Sequence, residues 1–293
     1  MITKNRNIEI PILETLPILK LENRIGSIIY TDLEMDHSKG SDSFSTISLV
    51  KKTKNVSIQT HQISLLTQRE IQKEVSNLFG VDMKQETRSL LESEMNHRIS
   101  LDIVKKYEEI GLSQMKDKTN SKWKNWLTRV FGVKHVTHIK DDELYKHIIK
   151  ISSLIHHYSK MGGAQFLISS PKIANIISEN PGFVFSQENN KGIGNFSILP
   201  IGSLRDIKIY KNNFMGDDLI ILGRTPSNGQ PGVYFLDHSS EFSETEEYDN
   251  LEKTRIYLRS NHSIVEVGRA HNLYYTDLIS LNKKPLWKKL LGI

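Results

Sequence analysis

The sequence predicts an α+β protein, and three observations carry that reading. Apolar residues recur at helical spacing from Gln62 to Ile110, and again from about Asp142 to Glu179. Beyond Pro181-Gly182 the pattern changes to short β-forming runs punctuated by glycine and asparagine. Ahead of all of these lies a proline-bearing arm and a long ribbon.

Met1 to about Lys20 holds Pro11 and Pro17 among Ile8, Ile10, Ile12, Leu13, Leu16, Ile18 and Leu19. Prolines so close forbid a continuous helix and favour an extended arm. A greasy arm that cannot fold on itself needs a surface to lie on, in its own domain or a neighbour. From Ile25 to Gln59, the β-formers Ile28, Ile29 and Tyr30 enter a polar tip, Asp36 to Asp42. Phe44, Ile47, Leu49 and Val50 lead out again. This spacing predicts a long β-hairpin, which is marginal in water without a partner surface.

Between Gln62 and Phe79, Ile63, Leu66, Ile71, Val75 and Leu78 fall near one helical face, with Glu70 and Glu74 among the polar residues opposite. A helix of about 17 residues is expected here, roughly 25 Å long. Gly80 stops it, since glycine tolerates the left-handed conformation. In the next helix Leu91, Met95, Ile99, Ile103, Tyr107 and Ile110 recur at three- and four-residue steps, and Gly111 is read as its end. Ser113 to Lys122 reads as a polar linker.

Trp123, Trp126, Leu127, Val130 and Phe131 then suit one face of a short helix, either core or a base-stacking platform. A further helix is expected from an Asp142 N-cap to Tyr158, ended by Gly162-Gly163. A strand at Gln165–Ser169 and a helix opened by Ser170-Pro171 follow. Expected strands are Phe183–Phe185, Phe196–Ile198, Ile207–Tyr210, Leu219–Leu222 and Gly232–Leu236. After the acidic loop Ser240–Asn250, Thr254–Arg259 and Ser263–Gly268 form two more, joined by Ser260-Asn261-His262. The tail KKPLWKKLLGI is basic and amphipathic.

With 293 residues, 38% hydrophobic and 25% charged, the chain has material for a substantial core. No apolar run reaches the length of a membrane span, and no signal-peptide pattern opens the sequence, so no membrane partner is expected. The absence of cysteine excludes disulfides and thiolate chemistry and suits assembly in a reducing cytoplasm. A net charge of +5, from 39 basic and 34 acidic residues, permits nonspecific contact with nucleic acid without the basic stripe of a dedicated reader.

Catalytic patterns are missing. There is no GxxxxGK[ST] loop, no HExxH and no GxSxG, and Gly192-Ile193-Gly194 precedes Phe196 and no helix start. His135, His138, His156 and His157 are the best metal candidates, but they lack a third ligand at suitable spacing. The expectation is therefore no enzyme, no metal and no cofactor.

Against this background four stretches resemble one family. QREIQKEVSNLFGVDMKQETRSLLESEMNHRISLDIVKKY is similar to the long spine helix, glycine break and following helix of T-even-type tailed-phage major capsid proteins. LYKHIIKISSLIHHYSKMGGAQFLISSPKIANII resembles their later helix, glycine-rich turn, strand and Ser-Pro helix. DDLIILGRTPSNGQPGVYFLDHS resembles a strand–turn–strand segment near the C-terminus, and TRIYLRSNHSIVEVG the closing strand pair. Departures are the lack of an evident insertion domain and Leu236-Asp237-His238-Ser239, where the family has a Cys-Pro-Tyr-like turn.

The resemblance implies the tailed-phage and herpesvirus capsid fold. Residues 1–24 would be an N-terminal arm and 25–60 an extended E-loop lying across a neighbouring subunit. Residues 61–110 would be a peripheral domain with the spine helix, 111–251 an axial domain, 252–280 the peripheral domain's return strands and 281–293 a tail. It further implies hexamers and pentamers forming an icosahedral head around double-stranded DNA, assembled in the host cytoplasm. Scaffold, portal and decoration proteins would be partners. Ile29, Tyr30, Phe44 and Ile47 of the ribbon, with Ile63, Leu66, Glu70 and Glu74 of the spine helix, would lie at subunit interfaces. Ile12-Leu13-Glu14 fits the family protease's Ile/Leu-x-Glu preference, with cleavage after Glu14; Leu90-Leu91-Glu92 fits equally. A pentameric vertex paralogue stays open, as do a nucleic-acid-binding protein using Trp123, Trp126 and the tail, and a metalloenzyme using His156 and His157.

Overall fold

The computed structural model describes residues 10–36, 46–80, 82–118, 136–140, 143–186, 198–238, 241–243 and 253–281. The arm is not simply extended. Pro11–Thr15 winds into a 3-10 turn with Ile12 and Leu13 buried, proline supplying a preset φ at its first position. β1 (Ile18–Lys20) follows, so from residue 10 onward the arm lies on its own chain. β2 (Ile25–Asp36) and β3 (Thr46–Ser57) form the expected antiparallel ribbon, paired from Ile25↔Ser57 to Asp36↔Thr46. Most of its expected tip lies outside the described residues.

The helix expected from Gln62 begins later. Gln59–Gln68 is strand β4, and α1 spans only Arg69–Phe79. Ile63 and Leu66 suit a helical face, but Ile63 and Leu65 also suit strand alternation. A ladder with a distant strand, running from Gln59↔His262 to Gln68↔Lys253, decides between them. Gly80 does close α1, with φ 63° and its N–H on Ser76 O at 3.0 Å.

The long helix is the next one. α2 (Met83–Lys118) has 36 residues and is about 54 Å long. The spine position assigned to Gln62–Phe79 is thus split between a strand and a short helix, and α2 is the element that crosses the molecule. Its expected stripe is buried throughout: Leu91, Met95, Ile99, Ile103, Tyr107 and Ile110 are all under 5% exposed. Gly111 does not end it. A Cβ there would sit 2.1 Å from Thr276 Oγ1 and 2.6 Å from Thr276 N, so glycine permits helix and strand to touch. The stretch read as a linker is helical as far as Lys118; Trp123 and Trp126 lie outside the described residues.

β5 (Val136–Ile139) precedes α3 (Leu144–Ser159), whose left-handed C-cap is Lys160, φ 59°, and not a glycine. The expected Asp142 cap lies outside the described residues. β6 (Phe166–Ser169) leads into α4 (Pro171–Ser178), where Ser170 Oγ accepts from Ile173 N–H, as expected of an N-cap before proline. Then come β7 (Phe183–Phe185), β8 (Ile198–Leu204), β9 (Ile207–Asn212), β10 (Leu219–Gly223), β11 (Gly232–Asp237) and β12 (Glu241–Ser243). The two strands expected around Ser260-Asn261-His262 are one, β13 (Lys253–Val267), with those three polar residues buried inside it. Thr60 Oγ1 donates to Asn261 Oδ1 at 2.8 Å, and Ser260 Oγ lies 2.9 Å from His262 Nδ1. Partnered in this way, with only His262 Nε2 of their side-chain atoms left buried without a hydrogen bond, they continue the strand and form no turn. β14 (Tyr274–Leu281) completes the described chain.

Two sheets organise these elements. In the five-stranded sheet β13 pairs along one edge with β4 and along the other with β12 and β11, and β1 adds in parallel to β11. The other has seven strands, ordered β5-β14-β10-β6-β9-β8-β7. Its central runs are buried on both faces, which explains why they read as continuous apolar stretches. Phe166, Ile168, Ile221 and Tyr210 join α2 and the arm in one core cluster. Leu167, Ile209, Ile220 and Leu222 join Ile148, Ile151 and Ile155 of α3 and Ile173 and Ile177 of α4 on the other side. β11 is divided likewise: Val233 and Phe235 meet the α2 cluster, while Tyr234 and Leu236 meet Ile28, Val56 and Ile58 of the ribbon base. These sheets do not follow the expected limits at residues 111 and 251: β11 and β12 belong with β13, and β14 with β10.

Tyr107 ties arm, helix and sheet together. Its ring stacks on Tyr274 at 4.7 Å, and its hydroxyl lies 2.9 Å from Thr15 Oγ1. Burial raises the phenols of Tyr107 and Tyr274 above the ordinary range and pushes Tyr275 up to about 12.

Two predictions follow from this packing. Gly111→Ala should destabilise the subunit by about 2 kcal/mol or more, because overpacking against backbone outweighs the gain in helix propensity. Urea unfolding would detect it, and an unchanged midpoint would contradict the helix–sheet contact. Second, below about pH 10 these phenols are neutral in folded and unfolded chain alike, and their contribution to stability is complete. Above it the unfolded chain loses protons first. Stability should therefore fall between about pH 10 and 12, by up to about 1.4 kcal/mol per pH unit for each such phenol. A flat urea midpoint across that window would contradict the burial.

Candidate assembly surface

Named contacts root the base of the ribbon in its own chain. Thr31 N–H and Oγ1 both donate to Gly229 O, at 2.8 and 3.1 Å, and Lys54 Nζ donates to Glu266 O. Alternation gives the two ribbon faces different roles. Ile28 and Asp32 are buried, Asp32 paired to Lys52 at 3.2 Å, and Tyr30 packs at Gly268 and Pro231. Ile29 points the other way and is 54% exposed. Ile29 and Tyr30 therefore cannot share an interface face, and Tyr30 is corrected to a residue packed on its own chain. Phe44 and the side chain of Ile47 lie outside the described residues.

The remaining expected contact residues divide in the same way. Ile63 is buried in the main core beside α2, a correction that follows from its place on β4. Leu66 is 48% exposed on the same strand, and Glu70 and Glu74 are exposed on α1. What the sequence pattern hid is how bare α1 is. Its apolar side chains Ile71, Leu78 and Phe79 are exposed, the last two more than 70%. A helix of this length is marginal in water by itself, and these side chains give it an exposed apolar patch. Val184 and Phe185 on edge strand β7 are similarly exposed.

Glu14 is exposed and pairs with Lys208, but Ile12 and Leu13 beside it are buried in the core. Severing the chain after Glu14 in the folded subunit would detach those two anchors together with Ile10.

His156 and His157 are both exposed in the last turn of α3, where positive charge suits the helix C-terminus. Among the described residues it is another group that could hold a metal: His61, Asp102 and His262, from β4, α2 and β13, with ligand atoms within 4.8 Å of one another. Sequence spacing gave no sign of it. No described helix is long and apolar enough to cross a membrane.

Comparison with known proteins agrees with this architecture. The family model described as major capsid protein Gp23 matches residues 15–236. A search of curated protein sequences finds no match. Among solved structures, the capsid of Myoviridae phage XM1 superposes with a TM-score of 0.52 at 9% identity, covering 96% of this chain and 95% of that one. The Mycobacterium phage Adephagia structure gives 0.52 at 10% identity, covering 97% and 96%. The capsid of Ralstonia phage GP4 gives 0.52 at 10% identity, covering 93% and 91%. At such low identity these matches establish the fold, which is that of tailed-phage capsid proteins. With the family match spanning most of its length, the chain belongs to the Gp23 major capsid protein family and has a structural role in a phage capsid.

Proposed function

We propose that the chain is the principal shell subunit, forming hexameric and pentameric capsomers of an icosahedral head that encloses double-stranded DNA. The observation that carries this reading is the bare apolar surface of α1 and of the outward ribbon face, Ile29, Ile71, Leu78 and Phe79. A monomer gains nothing by exposing these side chains, whereas a ring of copies can bury them. A stable interface needs roughly 1,200 Å² or more in total, and a paired ribbon of twelve-residue strands is long enough to reach across a neighbour. Leu66, Glu70 and Glu74 border the same surface and would set its register.

In this reading the five-stranded sheet with α1 and α2 is the peripheral unit. The seven-stranded sheet with α3 and α4 is the axial unit. The protein acts by packing and not by catalysis, in keeping with its family. Its mild positive charge suits weak, nonspecific contact with packaged DNA. Assembly in the host cytoplasm with scaffold, portal and decoration proteins completes the proposal. Cleavage after Glu14 would act before the arm docks.

The test combines substitution with electron microscopy and gradient sedimentation. Leu78→Ser with Phe79→Ser should leave the subunit's stability within about 0.5 kcal/mol, as for surface positions, yet abolish rings, tubes and shells. The wild type, with scaffold supplied if required, should form them. Assembly of the double variant at the wild-type level would contradict the assigned surface.

A further inference from the structure

We propose that His61, Asp102 and His262 form a binding site for a divalent transition-metal ion of the zinc class, which staples α2 to the β4–β13 strand pair. His61 and His262 lie on one face of that pair, diagonally offset, because His61 is opposite Ser260 in the ladder. Their rings stack at 4.1 Å with an interplanar angle of 19°. The far side of His262 stacks on Phe235 at 5.4 Å, so His262 is held on both faces and is 2% exposed. Ser260 Oγ at 2.9 Å from its Nδ1 fixes the ring's rotation, the kind of outer contact that orients metal-binding histidines. Asp102 approaches from α2, exposed to solvent, and His61 is half-buried. The three line a cleft of about 440 Å³, which gives an ion a way in.

The chemistry of the donor set selects the ion. Two imidazoles and one carboxylate are the ligands of borderline transition metals, and a fourth position stays open to water. Tetrahedral ligands about 2.1 Å from zinc stand about 3.4 Å apart. The present spread of up to 4.8 Å must therefore close by about 1.4 Å. His262 keeps its place through Phe235 and Ser260, so the closure falls to His61 and Asp102, the two less buried members; rotation about its side-chain bonds turns the His61 ring out of the stack, so that its in-plane lone pair converges with that of His262. The nearest cation lining the cleft, Arg98, is engaged by Glu94 at 2.8 Å.

The experiment titrates Zn²⁺ into the full-length, chelator-treated protein by calorimetry, with Co²⁺ absorption as a second probe of the ligand set. Wild type should bind one ion per chain and melt several degrees higher when saturated. His61→Ala and Asp102→Asn lie at the more exposed positions, and their melting temperatures without metal verify folding. Each should weaken binding by at least about tenfold and abolish the metal-dependent rise. Failure of the wild type to bind one equivalent saturably would overturn the proposal. So would variants that bind as tightly as wild type, since the ion would then sit elsewhere.

Discussion

The burial of one stripe on α2 is the constraint on which the rest of the structure depends. Leu91, Met95, Ile99, Ile103, Tyr107 and Ile110 face the five-stranded sheet, the seven-stranded sheet and the arm within a single core. Among the described residues the two sheets exchange no ladder, and α2 packs against strands of both. Close approach is set at Gly111, where the helix backbone meets Thr276, and lateral position at Tyr107, whose hydroxyl reaches Thr15 and whose ring lies on Tyr274.

The bare apolar surfaces are built by leaving two elements only partly supported. The ribbon covers the outer face of the five-stranded sheet through Ile28, Val56 and Ile58, which anchors its base. α1 follows directly on β4, a strand of the same sheet, and carries Leu78 and Phe79 into solvent. An anchored ribbon base beside a bare α1 is a sensible division for a shell subunit. The root fixes where the contact is presented, and the neighbour supplies the burial that the monomer lacks.

How far the sequence was legible depended on where each decision is made. The stripe on α2, the ribbon pairing, the Ser170 cap and the Gly80 stop are local, and each could be read directly. β4 could not, because Ile63, Leu65 and Leu66 satisfy both periods and only pairing with β13 separates them. Ser260-Asn261-His262 reads as a turn since polar residues inside a buried strand need partners, and the partner of Asn261, Thr60, sits far away on β4. Gly111 looked like a helix end for want of any local sign of Thr276. Glu70 and Glu74 are exposed, as the polar side of the helical pattern expects. Ile29 and Tyr30 are neighbours in sequence, and alternation leaves Ile29 in solvent while it turns Tyr30 back toward Gly268. The His61, Asp102 and His262 group was invisible for the same reason as β4: three distant segments create it.

The account's central claim is that α1 and the outer ribbon are bare in the subunit and covered in the shell. Amide hydrogen exchange, compared between the unassembled subunit and the assembled particle, tests this most directly. The account predicts that amides of Arg69–Phe79 and of the ribbon strands gain protection on assembly, while those of α2 and β10 exchange slowly in both states. Equal exchange of α1 and the ribbon in both states would contradict it.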